Sequence, residues 1–137
     1  MTTNPAPHRT NRPQRALLVD DDKLMLAVMG DMLRDLGFNS ISTANDGKAG
    51  IDAFDRSHLQ PEVVLCDLNM PGSDGFQFME QLGARRFKGG VILISGMDTR
   101  TCNSAALMAR FHRLNVVAAL SKPVDEASLS AAIAKLG

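Results

Sequence analysis

The run Val63-Val64-Leu65-Cys66-Asp67 constrains this chain more than any other stretch. Four apolar residues pass directly into an aspartate, and the turn cluster Pro71-Gly72-Ser73-Asp74-Gly75 follows closely. A short, β-branched, continuous apolar run is the pattern of a strand buried on both faces. Pro71 and Gly72 forbid its extension. Asp67 is therefore placed at the carboxyl end of a central strand, the edge where open α/β sheets bind ligands. Taken alone, an aspartate at that position is equally well a residue that starts a loop.

The same kind of run recurs. Ala16–Val19, Val91–Ile94 and Val116–Leu120 are apolar throughout, whereas Asn39–Ala44 alternates with polar residues and reads as an edge strand. A helical stripe follows each. Met25, Val28, Met29, Met32, Leu33 and Leu36 share one face. Asp22 is the expected N-cap and Gly37 the C-cap signal. Gly30 inside this helix costs up to about 1 kcal/mol against Ala, so it implies close packing. The later helices are expected over residues 46–57 with Ile51 and Phe54 inward, 75–85 with Phe76, Met79 and Leu82, 98–113 with Leu107, Phe111 and Leu114, and 125–136 with Leu129, Ala132, Ile133 and Leu136. Five strand–helix units with short connections require a parallel sheet covered on both faces. The expected fold is α/β, a flavodoxin-like (βα)5 three-layer sandwich with strand order 2-1-3-4-5.

Residues 1–15 contain three prolines, three arginines and no large aliphatic residue after Met1, so they read as a disordered, weakly basic tail before one domain over 16–137. Lys and Arg together number 15, as do Asp and Glu, which leaves no global field for nucleic acid. No apolar run approaches membrane-spanning length and no signal-peptide core is present, so a cytoplasmic location is expected. Cys66 and Cys102 have no metal spacing and read as reduced thiols. Trp and Tyr are absent, which excludes a switch built on either side chain.

The strand ends carry the chemistry. The first strand delivers Asp20 and Asp21, the third Asp67, the fourth Ser95 and the fifth Lys122. In the expected order strands 1, 3, 4 and 5 are consecutive neighbours, so these groups converge on one cleft. Crowded carboxylates resist ionisation, and a hard divalent cation relieves them. Mg²⁺ suits one or two carboxylates, a carbonyl such as that of Asn69, water and phosphate. A lysine, a hydroxyl and a cation around one carboxylate together suit a phosphoryl group, and the carboxylate itself can be the nucleophile.

In combination and in order, Leu18-Val19-Asp20-Asp21-Asp22, Leu36-Gly37-Phe38, Ala44-Asn45-Asp46-Gly47, Cys66-Asp67-Leu68-Asn69-Met70-Pro71, Asp74-Gly75, Ile94-Ser95-Gly96 and Ser121-Lys122-Pro123 resemble the receiver domain of two-component response regulators. The resemblance implies that Asp67 is the phosphoacceptor. It implies that Asp21, Asp67 and the Asn69 carbonyl ligate Mg²⁺, with Asp20 acting mostly through water. It gives Ser95 and Lys122 the roles of the phosphoryl-binding hydroxyl and amine, and it implies a cis Lys122–Pro123 peptide. Two features depart from the family. Ala119 stands where an aromatic residue is usual, and the segment from Ser95 to Lys122 is several residues longer.

The expected function is a Mg²⁺-dependent phosphoacceptor that switches a binding surface around the fourth helix and fifth strand, rather than an enzyme with a released product. Its expected partners are a sensor histidine kinase or histidine phosphotransfer protein upstream and a protein effector or output domain downstream, with a homodimer as a further option. No direct nucleic acid or membrane contact is expected. The chain ends one helix after the fifth strand, so no output domain is expected within it. Two other classes remain open: a phosphorylation-independent interaction module, and a phosphohydrolase with an aspartyl nucleophile. The second is weakened by Asn69, which cannot protonate a leaving group two residues past Asp67.

Overall fold

The computed structural model describes residues 14–71, 74–96 and 99–136, with the side chains of 99–102 and 111 excepted. Five strands and five helices alternate: β1 (Arg15–Val19), α1 (Lys23–Asp35), β2 (Ser40–Ala44), α2 (Gly47–Arg56), β3 (Val63–Asp67), α3 (Asp74–Ala84), β4 (Gly90–Ser95), α4 (Thr99–Phe111), β5 (Asn115–Ser121) and α5 (Glu126–Ala134). All strand pairs are parallel and the order is β2-β1-β3-β4-β5, as expected. β3 and β4 are buried at every residue, whereas β2 and β5, the two edges, are not. An edge position is why β2 tolerates alternating polar residues.

Strand alternation divides the core into two layers. Leu17, Val19, Val64, Cys66, Val91 and Leu93 pack with Phe54, Phe78, Met79, Leu82, Ala105 and Ala109 on the α2–α3–α4 side. Ala16, Leu18, Leu65, Ile92 and Ile94 pack with Leu26, Met29, Leu33, Leu129 and Ala132 on the α1–α5 side. A register shift between Val91 and Ile92 leaves an extra residue in β5. Such a bulge breaks the alternation, so Val116 joins the first layer while Val117, Ala118 and Leu120 join the second.

Several expectations are corrected in detail. β1 begins at Arg15, not Ala16, because the Gln14 and Arg15 amides both donate to Glu62 Oε1, and the Asn39 and Ser40 amides donate to the Gln14 carbonyl. Residues 1–13 of the expected tail lie outside the described residues. In α3 Phe76 packs against the same cluster as Met79 and Leu82, as expected, but Phe78, which the spacing does not single out, is the phenylalanine that is fully buried. In α4 Leu107 is 67% exposed, and Ala105 and Ala109 form the buried stripe in its place. Small side chains one turn apart let the helix lie close on the sheet, which a leucine would hold away. Gly30 is buried, but a Cβ there would meet only Arg34 Nη1 at 3.6 Å, so close packing does not require this glycine. Close packing is instead found at Gly50, whose added Cβ would come within 2.8 Å of Phe78 and 2.9 Å of Val19.

Candidate functional site

Four strand ends, those of β1, β3, β4 and β5, build the site. β1 runs into Asp20 and Asp21, and Asp22 immediately caps α1 by accepting from the Leu24 and Met25 amides. That cap ends the extended chain and turns Asp20 inward. Asp67 is the last residue of β3, where Gly75 approaches so closely that an added Cβ would lie 2.9 Å from the Asp67 carbonyl oxygen. Ser95 ends β4, and its carbonyl accepts from the Lys122 amide at 2.8 Å, which fixes the end of β5 beside it. The Lys122–Pro123 peptide is cis, in agreement with the resemblance.

Asp20 and Asp67 are buried, at 0% and 1% exposure, and Ser95 at 5%. Lys122 Nζ lies 3.3 Å from Asp20 Oδ2 and 3.4 Å from Asp67 Oδ2. One oxygen each of Asp20, Asp21 and Asp67 fall within 4.8 Å of one another, with Asp21 on the exposed side. The outer lobe of each buried carboxylate is already used: Asp20 Oδ1 accepts from the Asp22 amide at 2.8 Å and Asp67 Oδ1 from the Asn69 amide at 3.0 Å. The inner atoms Asp20 Oδ2, Asp67 Oδ2 and Ser95 Oγ are buried with no hydrogen-bond partner. Buried polar atoms of this kind are costly unless something else meets them.

The electrostatics follow from the geometry. Burial pushes the Asp20 carboxyl up to about 6, and the Asp67 charge adds to the rise, while the Asp22 amide and Lys122 oppose it. For Lys122 burial works against the charged form, but the Asp67 and Asp20 carboxylates outweigh it and raise the ammonium above its ordinary value. Cys66 is fully buried behind this site, and burial, then Asp67, Asp74 and Asp20, drive its thiol far up. It is a packed, inert thiol. The side chain of Cys102 lies outside the described residues.

All five side chains expected from the strand ends meet at one edge of the sheet. Two contacts escape sequence reasoning. The Gly96 amide donates to Asn69 Oδ1, and the Gly47 amide donates to Asp74 Oδ2 at 2.6 Å. Both join residues 27 apart in the chain, and no local spacing announces them.

A parallel (βα)5 sandwich in the order β2-β1-β3-β4-β5, whose switch-point cleft holds paired carboxylates, a lysine and a buried hydroxyl, is a flavodoxin-like α/β module. The family model for the response regulator receiver domain matches residues 16–134, and the chain belongs to that family. It is a receiver domain of the kind found in two-component systems, a domain that is generally not itself catalytic. It is 33% identical over 128 residues to a protein-glutamate methylesterase/protein-glutamine glutaminase of Symbiobacterium thermophilum, covering 93% of this chain and 34% of that protein. It is 32% identical over 74 residues to the chemotaxis protein CheY-3 of Vibrio cholerae, covering 54% of this chain and 55% of that one. A response regulator from Colwellia psychrerythraea superposes with a TM-score of 0.76 at 25% identity, covering 90% of this chain and 95% of that one. The chain thus spans about a third of the Symbiobacterium methylesterase and 19% of a related one from Natronomonas pharaonis. Among the described residues no helix is long and apolar enough to cross a membrane.

Proposed function

We propose that Asp67 accepts a phosphoryl group from a phosphohistidine on a sensor histidine kinase or phosphotransfer protein, and that the resulting aspartyl phosphate changes a surface read by a protein effector or output domain. The observation that carries this reading is the pair of buried carboxylate oxygens, Asp67 Oδ2 and Asp20 Oδ2, that share one lysine as their only partner, with the buried and unbonded Ser95 Oγ at the next strand end. Asp67 Oδ2 attacks phosphorus while the phosphorus–nitrogen bond breaks and its electron pair leaves with the imidazole. Lys122 gives up its contact with Asp67 Oδ2 and pairs with a phosphoryl oxygen, and Ser95 Oγ donates to another. The acidic cluster fits the Mg²⁺ that receiver domains bind: Asp20, Asp21 and Asp67 offer oxygens of the right kind, and the two buried ones meet only the Lys122 ammonium. When bound, the ion neutralises charge on the transferring group. Such a domain acts in the cytoplasm, where its kinase is. The phosphohydrolase reading is disfavoured by Asn69, whose carboxamide is committed to the Gly96 amide and has no acidic proton.

The test is labelling with acetyl phosphate and Mg²⁺. One acid-labile phosphate per chain is expected, and none on Asp67→Asn. Stoichiometric label retained by that variant would remove Asp67 from the role.

A further inference from the structure

Three helices of this protein end in the same backbone motif. After α1 the Gly37 amide donates to Arg34 O and the Phe38 amide to Leu33 O. After α3 the Arg86 amide donates to Gly83 O and the Phe87 amide to Leu82 O. After α4 the Arg113 amide donates to Arg110 O and the Leu114 amide to Ala109 O. Each ends with a buried apolar residue, Phe38, Phe87 or Leu114, folded back on the last turn. This is the Schellman terminator, which needs a left-handed residue at its pivot. α1 uses glycine, at φ +104°, whereas α3 and α4 use arginine, at φ +56° and +62°. A Cβ makes that conformation unfavourable, so the same motif is built with the easy residue once and with a strained one twice.

The two strained pivots are neighbours. A Cβ on Gly83 would lie 2.6 Å from His112 Cβ, so the ends of α3 and α4 abut. Arg86 and Arg113 are exposed there, with Lys88 and Arg110 exposed nearby in the chain, and among the described residues none of the four makes an ion pair. Arg85, by contrast, is held by Asp55 and Gln81. This face lies at the helix carboxyl ends, opposite the Asp67 cleft. The helix dipole favours a cation near these carboxyl ends, but a cation in the last turn would serve that purpose without taking the left-handed pivot, where backbone strain opposes arginine and glycine serves the same motif after α1. We infer that the α3–α4 carboxyl-terminal face is a docking surface for a carboxylate-rich segment of another protein. Guanidinium groups match carboxylates in bidentate fashion. A continuous polyanion is a poorer fit. Asp55 and Glu62 interrupt the positive charge at this end, and Phe38, Phe54, Phe78 and Phe87 are all buried, so none of these rings is available for base stacking.

The experiment uses the full chain and a fluorescent decaglutamate peptide, with phosphatidylglycerol vesicles and duplex DNA as parallel arms, at low salt. Wild type should bind the peptide in preference to either alternative, and R86G/R113G should lose at least tenfold in affinity. Because glycine relaxes both pivots, the same variant should melt a few degrees higher. Unchanged affinity in the variant, no peptide binding by wild type, tighter binding to vesicles or DNA, or a lower melting temperature in R86G/R113G would each overturn the inference.

Discussion

The Gly96 amide donates to the side-chain oxygen of Asn69, and this one contact ties the loop after the acceptor strand to the loop after Ser95. Asn69 also gives its own amide to Asp67 Oδ1. One residue therefore touches both the group expected to be modified and the loop expected to respond. In Asn69→Ala the β4–α4 loop loses its anchor. Residues 95–96 should exchange amide hydrogen faster in the unphosphorylated protein, with the melting temperature little changed because the contact is exposed. Exchange equal to wild type would mean the carboxamide holds nothing.

The raised Asp20 carboxyl fixes a pH dependence. Its folded value, about 6, lies above the ordinary 3.8, so between those values the folded state binds more protons than the unfolded state. Stability from this group is greatest at low pH and is lost as pH rises through about 6, by roughly 2–3 kcal/mol in all. In Mg²⁺-free buffer the difference in unfolding free energy between Asp20→Asn and wild type should therefore grow from pH 4 to pH 7 in favour of the variant. Millimolar Mg²⁺ should raise the wild-type melting temperature at pH 7, since it binds only the folded cluster. Asp21→Ala should lose most of that gain. An equal Mg²⁺ shift in Asp21→Ala would put the ion elsewhere.

Lys122 holds two carboxylates at once, and its loss leaves both buried and uncompensated. Lys122→Ala should melt lower than wild type without Mg²⁺ and regain much of the difference with it, because the ion supplies the missing charge. Phosphorylated Lys122→Ala should nonetheless fail to switch. Partner binding equal to phosphorylated wild type would refute the role given to the lysine.

Gly30 offers a stabilising change far from this chemistry. An added Cβ meets nothing nearer than 3.6 Å, and the position is mid-helix. Gly30→Ala should add about 1 kcal/mol, seen as a rise of roughly 2–4 °C by thermal denaturation. A fall would show that the groove between α1 and β2 needs the smaller residue.

The strand order and the five converging side chains were legible because buried parallel strands write themselves as unbroken apolar runs, and their ends fall at abrupt polar residues such as Asp20, Asp67 and Ser95. Helix faces were less legible. In α4 alanine does the packing and leucine does not, because closeness to the sheet, not hydrophobicity, decides which residue is buried. The Gly30 expectation failed for a related reason: a helical glycine states that no side chain is present, not that a neighbour occupies its place. Asn69 with Gly96 and Gly47 with Asp74 were invisible because their partners meet only through tertiary structure.

The readout turns on Ala119. The family's aromatic residue is absent there; of the long side chains on the segment that follows Ser95, Met108 is 37% exposed, and those of Met97 and Phe111 lie outside the described residues. Ala119 is exposed on β5, on the same side as α4. With no ring to rotate at this position, a change at Ser95 is expected to travel through the backbone that follows it. That backbone is the β4–α4 loop and α4, whose buried residues among those described are the small Ala105 and Ala109. Arg110 and Arg113, both exposed, would move with it. Hydrogen exchange with and without beryllofluoride should therefore change in residues 96–113 and little elsewhere. Ala119→Tyr should not restore an aromatic switch unless α4 also yields. If protection in 96–113 is the same in both states while another face responds, the signal leaves the site by a different route.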